Sequence, residues 1–184
     1  MSKTKVTKEF IQETAALVSR LHDTIIEQSG GTKGVRDEGG LYHSVYKIVL
    51  YQEEYSEDPA SVGALVYEEF ARKHHFNDGN KRTAHAVAKL ILFLINYHLK
   101  IEYKNAVSFI IEIAKYQSAV STSEIKEWIK NNLIPTTEKN VESYLKEIVI
   151  DITRLQRLEL GTRFHRRHAN SIALFRGGRS SANS

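Results

Sequence analysis

Along most of this chain apolar residues recur at spacings of three and four, the period of a helix with one buried face, rather than alternating as in a half-buried strand. Only Pro59 and Pro135 interrupt the pattern, which predicts an all-α domain. Thr7 reads as the N-cap of a first helix carrying Phe10, Ala15, Leu17, Val18, Leu21 and Ile25, ended by Gly30-Gly31. A loop over residues 32–40 leads to a short second helix over 41–50, and residues 51–58 read as an extended, polar and aromatic connection. Asp58-Pro59 supplies an N-cap and a first-turn proline for a third helix running to about Arg72. Ser121 with Glu124 forms a capping box for a helix ending near Asn132. A last amphipathic helix, over about 139–160, sets Val141, Tyr144, Leu145, Ile148, Ile152 and Leu155 on one side.

Between these elements lies the stretch with chemistry in it, residues 71–85. The helix that follows Asp78-Gly79 is apolar nearly all round, so it belongs at the centre of a bundle, and its N-terminus is held rigidly. The unpaired N–H groups of a first turn and the positive end of the helix dipole attract anions. Gly79 allows close backbone approach, and Lys81 and Arg82 add two cations to the same turn, which makes a cradle for polyphosphate. Asp78 offers a hard carboxylate suited to magnesium. His74, four residues earlier, is placed to accept a proton from a hydroxyl at neutral pH. Each residue has a plainer reading: Asp78 as an N-cap, Lys81 and Arg82 as a solvated first turn, His74 as a surface histidine. The combination argues for chemistry, because two consecutive cations at the positive end of a helix dipole oppose stability. Phe76, the apolar residue in this polar loop, reads as a core anchor.

Composition narrows the picture. A hydrophobic content of 41% suffices for a core, and the absence of cysteine excludes disulfides and Cys-ligated metal sites, consistent with a reducing cytosol. The first ten residues lack the apolar run of a secretory signal, and the longest apolar stretch, Leu90 to Ile95, is too short to span a bilayer, so a cytoplasmic protein without membrane attachment is expected. The net charge of +4 is concentrated in residues 161–184, whose five arginines leave residues 1–160 at −1. That tail is short of periodic apolar residues and is expected to be disordered. A nucleic-acid or partner-binding protein acting through it is an alternative class of function, though nucleic acid is not the expected partner. The expected organisation is a catalytic domain over 1–135, an extra helix over 136–160, and the basic tail.

The motif His74-His75-Phe76-Asn77-Asp78-Gly79-Asn80-Lys81-Arg82 resembles the signature of the Fic/Doc family, and Leu21-His22-Asp23, the loop Gly34 to Gly39 and Ala119 to Glu124 extend the likeness to its death-on-curing (Doc) toxins. The resemblance covers about residues 6–133 and implies the Fic fold: a helical bundle around a central buried helix, with a short flap over Leu50–Asp58 that pairs with a target peptide. It implies ATP and Mg2+ as substrate and cofactor, His74 as the base, Asp78 as the magnesium-linked or hydroxyl-orienting carboxylate, and Gly79, Asn80, Lys81 and Arg82 as the anion nest, with Arg72 touching phosphate. Adenylyl-transferring members usually carry Gly where Lys81 stands and a second Arg where His85 stands. The string Asn80-Lys81-Arg82-Thr83-Ala84 is Doc-like and favours transfer of the terminal phosphate of ATP to a Ser/Thr hydroxyl, with elongation factor Tu as the implied target, over AMPylation. Ala86 departs from Doc, which has Asn there. Ser143 and Glu147 match the family's inhibitory helix only in part, so a separate antitoxin protein is the expected restraint. His22-Asp23 alone lacks the further histidine of a metal phosphohydrolase.

Overall fold

The computed structural model describes residues 6–55 and 57–152. Helix α1 spans Lys8–Ser29, α2 Glu38–Glu54 and α3 Pro59–Tyr67, which runs on into a π-helical turn, Glu68–Arg72. Helix α4 spans Asn80–Leu94, α5 Tyr103–Ile113 and α6 Thr122–Lys130, and α7 begins at 141 and is described as far as 152. Strand β1, Tyr97–Leu99, pairs antiparallel with β2, Leu133–Pro135, matching Tyr97 to Pro135 and Leu99 to Leu133.

The all-α architecture expected from the periodicity is what forms, around α3 and α4. In α3 every residue from Val62 to Tyr67 is buried, and in α4 so is every residue from Arg82 to Lys89. Two helices can be buried this fully only if their neighbours come close. Gly63 of α3 allows it: a Cβ there would sit 3.0 Å from Ile129 Cδ1 of α6 and 3.2 Å from Leu92 Cδ1 of α4. α1, α5 and β1 complete the sheath around α4.

Most helix starts follow the caps in the sequence. Thr7 accepts from the Phe10 N–H, Asp58 from the Ser61 N–H, and Ser121 with Glu124 closes a full capping box. Three expectations are corrected. α2 is seventeen residues long, because Asp37 caps it from the Gly40 N–H at 2.8 Å and Tyr51 stacks on Tyr55 at 4.4 Å in the last turn. Residues 51–54, expected as part of an extended flap, are therefore helical and offer no strand edge. The third helix does not reach Arg72 as α-helix, since its last turn widens to π geometry. The β1–β2 pairing was invisible in the pattern, because each strand is only three residues long. The 161–184 tail, and the expected run of α7 to 160, lie outside the described residues. Among the described residues no helix is long and apolar enough to cross a membrane.

Helix α7 is held by buried polar contacts. Asp151 Oδ1 accepts from the Tyr103 N–H at 3.0 Å, while Oδ2 takes Lys89 Nζ at 2.6 Å and His85 Nε2 at 3.2 Å. With Nε2–H donating, His85 Nδ1 is the acceptor for the Tyr67 hydroxyl at 2.7 Å, so a neutral imidazole satisfies the whole chain. Burial pushes the Asp151 carboxyl up, but the hydrogen bond from His85 and the charge and hydrogen bond of Lys89 outweigh it and hold its pKa at about 2 against 3.8. His98 Nε2 meets Glu147 at 3.0 Å, and its ring stacks on Tyr144 at 4.3 Å. A cavity of about 560 Å³ opens beside this seam, with Lys89, His98, Glu147 and Asp151 among its lining residues.

Because the carboxyl of Asp151 is depressed in the folded state, its stabilising contribution is complete above pH 3.8 and is lost as the pH falls through about 2. Asp151→Ala, which leaves Lys89 buried without its carboxylate, should cost about 3 kcal/mol in urea unfolding at pH 7. Glu142→Ala, breaking the exposed Glu142–Lys146 pair, should cost under about 0.5 kcal/mol. Equal losses for the two would show that the buried network does not fasten α7.

Candidate active site

The loop over 73–79 joins the π turn to α4, and its path is set by contacts that the sequence does not display. Residues 33–37 lie alongside it: Val35 bridges Phe76 antiparallel, the Arg36 N–H donates to the His75 carbonyl at 2.7 Å, and the Asn77 N–H donates to the Gly34 carbonyl at 3.1 Å. Arg36 Nη2 donates to the His74 carbonyl at 2.5 Å. Phe76 is buried, the anchor expected of it, with the His22 ring stacked on it at 3.9 Å and 6°. His22 Nε2 donates to the Asp78 carbonyl at 3.0 Å, so this histidine of α1 braces the loop from beneath. That role was not read from the sequence, where His22 lies 56 positions from Asp78.

Asn80 closes the loop on itself. Its Oδ1 accepts from the Phe76 N–H at 2.9 Å and its Nδ2 donates to the Phe76 carbonyl at 2.8 Å. Gly79 sits at φ 69°, a left-handed conformation natural to glycine, and a Cβ there would come within 2.6 Å of Ile26 Cδ1. The turn into α4 thus requires glycine on two counts.

α1, α2, α3 and α6 each carry a side-chain cap on their first turn, whereas α4 and α5 have none. The N-cap position is Gly79, and the first intrahelical bond it provides runs from the Thr83 N–H to its carbonyl at 2.9 Å. The backbone N–H groups of Asn80, Lys81 and Arg82 precede that bond and form the positively polarised helix start. Asp78 lies at the same edge, with 30% of its side chain exposed; its Oδ1 accepts from the Gly79 N–H at 2.6 Å and stands 3.6 Å from Arg82 Nη2.

The expected site residues divide into two sets. His74, Asp78, Gly79 and Lys81 gather at the mouth of α4; His74 and Lys81 are half-buried, and the Lys81 charge acts on the His74 ring. The side chains of Asn80, Arg82 and Arg72 are engaged elsewhere. Asn80 is committed to Phe76. Arg82, 1% exposed, turns into the core and donates through Nη1 to the Gly30 carbonyl at 3.0 Å and to Ser29 Oγ, fastening α4 to the end of α1. Arg72 ties the π turn to the end of α5 and the approach to α6, through Glu68 at 2.9 Å, the Ile113 carbonyl at 3.3 Å and the Val120 carbonyl.

His74 has an unusual backbone, with φ at 52° for a residue bearing a Cβ. Burial lowers its pKa below the ordinary 6.5, the charges of Lys81 and Arg36 lower it further, and a hydrogen bond with the Arg72 backbone opposes them. The ring is therefore largely neutral at pH 7 and has a lone pair available. Among the described residues no three His, Asp or Glu side chains cluster as a metal cage. A single partly exposed carboxylate such as Asp78 instead suits magnesium shared with substrate phosphates.

Removing the Asn80 side chain would leave the buried Phe76 N–H without an acceptor. Asn80→Ala should cost about 1–3 kcal/mol in chemical denaturation and raise amide exchange across residues 76–80. Unchanged exchange there would show that the loop holds its shape without Asn80.

Set beside known proteins, the chain finds no match among curated ones. Residues 12–92, from α1 to near the end of α4 and including the whole loop just described, match the family model for the Fic/DOC family, whose members are nucleotide-dependent transferases.

Proposed function

We propose that this protein is a Fic-type transferase that moves a phosphate-containing group from ATP to a protein hydroxyl, with the phosphates seated on the N-terminus of α4 and His74 as the base. The observation that carries the reading is the first turn, without a side-chain cap, of a helix buried from Arg82 to Lys89, with Lys81 beside it and a largely neutral imidazole facing the same charge. Backbone N–H groups of residues 80–82 are the proposed anion donors; Lys81 is the proposed side-chain cation. Arg82 contributes its N–H and fixes the wall, and Gly79 lets the turn into α4 pack closely on Ile26. Asn80 serves by holding the loop. Arg72 holds the π turn, which is a positional role rather than contact with phosphate.

In the proposed step, an imidazole nitrogen of His74 takes the proton of the acceptor hydroxyl as its oxygen forms a bond to phosphorus. The bond from that phosphorus to the leaving phosphate oxygen breaks, and ADP departs with the electron pair in terminal-phosphate transfer. Asp78 is the proposed protein ligand for Mg2+, which would neutralise phosphate charge when bound.

Within this class we favour Doc-like phosphorylation of a Ser or Thr hydroxyl, with elongation factor Tu as the candidate target, over AMPylation. Lys81 adds a charge at the phosphate end, and His85, standing where adenylyl-transferring relatives place a second arginine, is fully buried between Tyr67 and Asp151. Glu147 likewise meets His98 rather than the motif, which supports restraint by a separate antitoxin over restraint by α7.

Incubation with Mg2+ and ATP labelled in its terminal phosphate or in its adenine tests this directly. Terminal label on a protein hydroxyl is expected, adenine label would mean AMPylation, and neither label from a nucleotide-bound protein would end the transferase reading. His74→Ala should lower the rate by about 10²–10⁴ while leaving nucleotide binding intact. The lowered pKa of His74 places the acid limb of the rate profile below pH 6.5, with activity falling as the ring gains its proton; a limb above 6.5 would contradict His74 as the base.

A further inference from the structure

The two residues that flank His74 are tied to one buried carboxylate. Lys73 Nζ donates to Glu69 Oε2 at 2.5 Å. On the other side, Ser44 Oγ donates to the same Oε2 at 2.6 Å and lies 2.8 Å from His75 Nε2. A hydroxyl has one hydrogen, and here Glu69 receives it, so the His75 ring is the donor to Ser44. Glu69 is 2% exposed, and Lys47 of α2 completes its shell at 2.9 Å from Oε1. Burial raises its pKa, but the hydrogen bonds of Lys73, Ser44 and Lys47 together hold it below the usual carboxylate value, so it is an anion at neutral pH.

A residue with a Cβ stays at positive φ only where its surroundings leave it no alternative. His74 is pulled from both shoulders toward Glu69, and its carbonyl is clamped by Arg36 from the facing loop. The π turn contributes by carrying Glu69, which therefore reaches α2 and Lys73 together.

We infer that Glu69 is a positioning residue for the reaction: by anchoring Lys73 directly and His75 through Ser44, it holds His74 in the left-handed conformation that presents its ring to the mouth of α4. This rests on the reading of His74 as the base. The hydrogen bonds of Glu69 run to Lys73, Ser44 and Lys47 rather than to the first turn of α4, so its loss should act on the chemical step and spare nucleotide binding.

The test compares wild type, Glu69→Ala, Glu69→Gln and Ser44→Ala in three measurements: transfer rate, ATP affinity, and the backbone conformation of His74 from its Cα shift and amide coupling. Glu69→Ala should lower kcat at least tenfold, leave ATP affinity within twofold, and move His74 to negative φ. Glu69→Gln, which keeps an acceptor for Ser44, should recover part of the rate. Ser44→Ala, which cuts only the His75 tether, should give an intermediate loss and remains informative if Glu69→Ala does not fold. An unchanged kcat, or a kcat lost with His74 still at positive φ, would overturn the inference. A wild type that transfers nothing would overturn the transferase reading, whereas the His74 backbone would still report whether Glu69 enforces its geometry.

Discussion

A helix enclosed by other elements cannot shift to suit what binds at its end, so the geometry at the N-terminus of α4 is fixed when the chain folds. From Arg82 to Lys89 every residue of α4 is buried. The polar groups that this burial traps have to be satisfied locally, and the way they are satisfied divides the helix. Near its start, Arg82 is spent on the end of α1. Farther along, His85 and Lys89 are spent on Asp151 of α7. At the helix start no side chain caps the first turn, and Lys81 and Asp78 stand half-buried beside it.

The loop before α4 shows the same economy. Asn80 hydrogen-bonds both backbone groups of Phe76, His22 fills the space beneath the ring and holds the Asp78 carbonyl, and the strand-like segment 33–37 fastens the other edge. Such a loop has little freedom of its own, which is what a base and an anion cradle require if they are to meet a reacting group without reorganisation. The energetic burden falls on His74, whose positive φ is the one conformation in this loop that its residue type does not favour.

Local signals were legible in the sequence. Thr7, Asp58-Pro59 and the Ser121–Glu124 box mark helix starts because a cap involves residues three apart, and the unbroken apolar face of α4 marks the centre. The motif residues His74, Asp78, Gly79 and Lys81 lie at or just before the first turn of α4. What the sequence concealed was long-range. Nothing near Arg82 shows that its guanidinium will meet Gly30, nothing near Asn80 separates a loop clasp from a phosphate ligand, and the partnership of His22 with Asp78 joins two helices far apart in the chain. The length of α2 was underestimated because residues 51–54 look polar and turn-like until Asp37 and the Tyr51–Tyr55 stack are seen to extend the helix at both ends.

The central claim is that triphosphate binds at the first turn of α4. Its most direct test is the change in the backbone amide resonances of Asn80, Lys81 and Arg82 on addition of Mg2+ and ATP. The account predicts saturable perturbation of these three amides together with the His74 ring. Perturbation confined to the cavity beside α7, at His98, Lys100 and Asn105, with residues 80–82 unmoved, would contradict it.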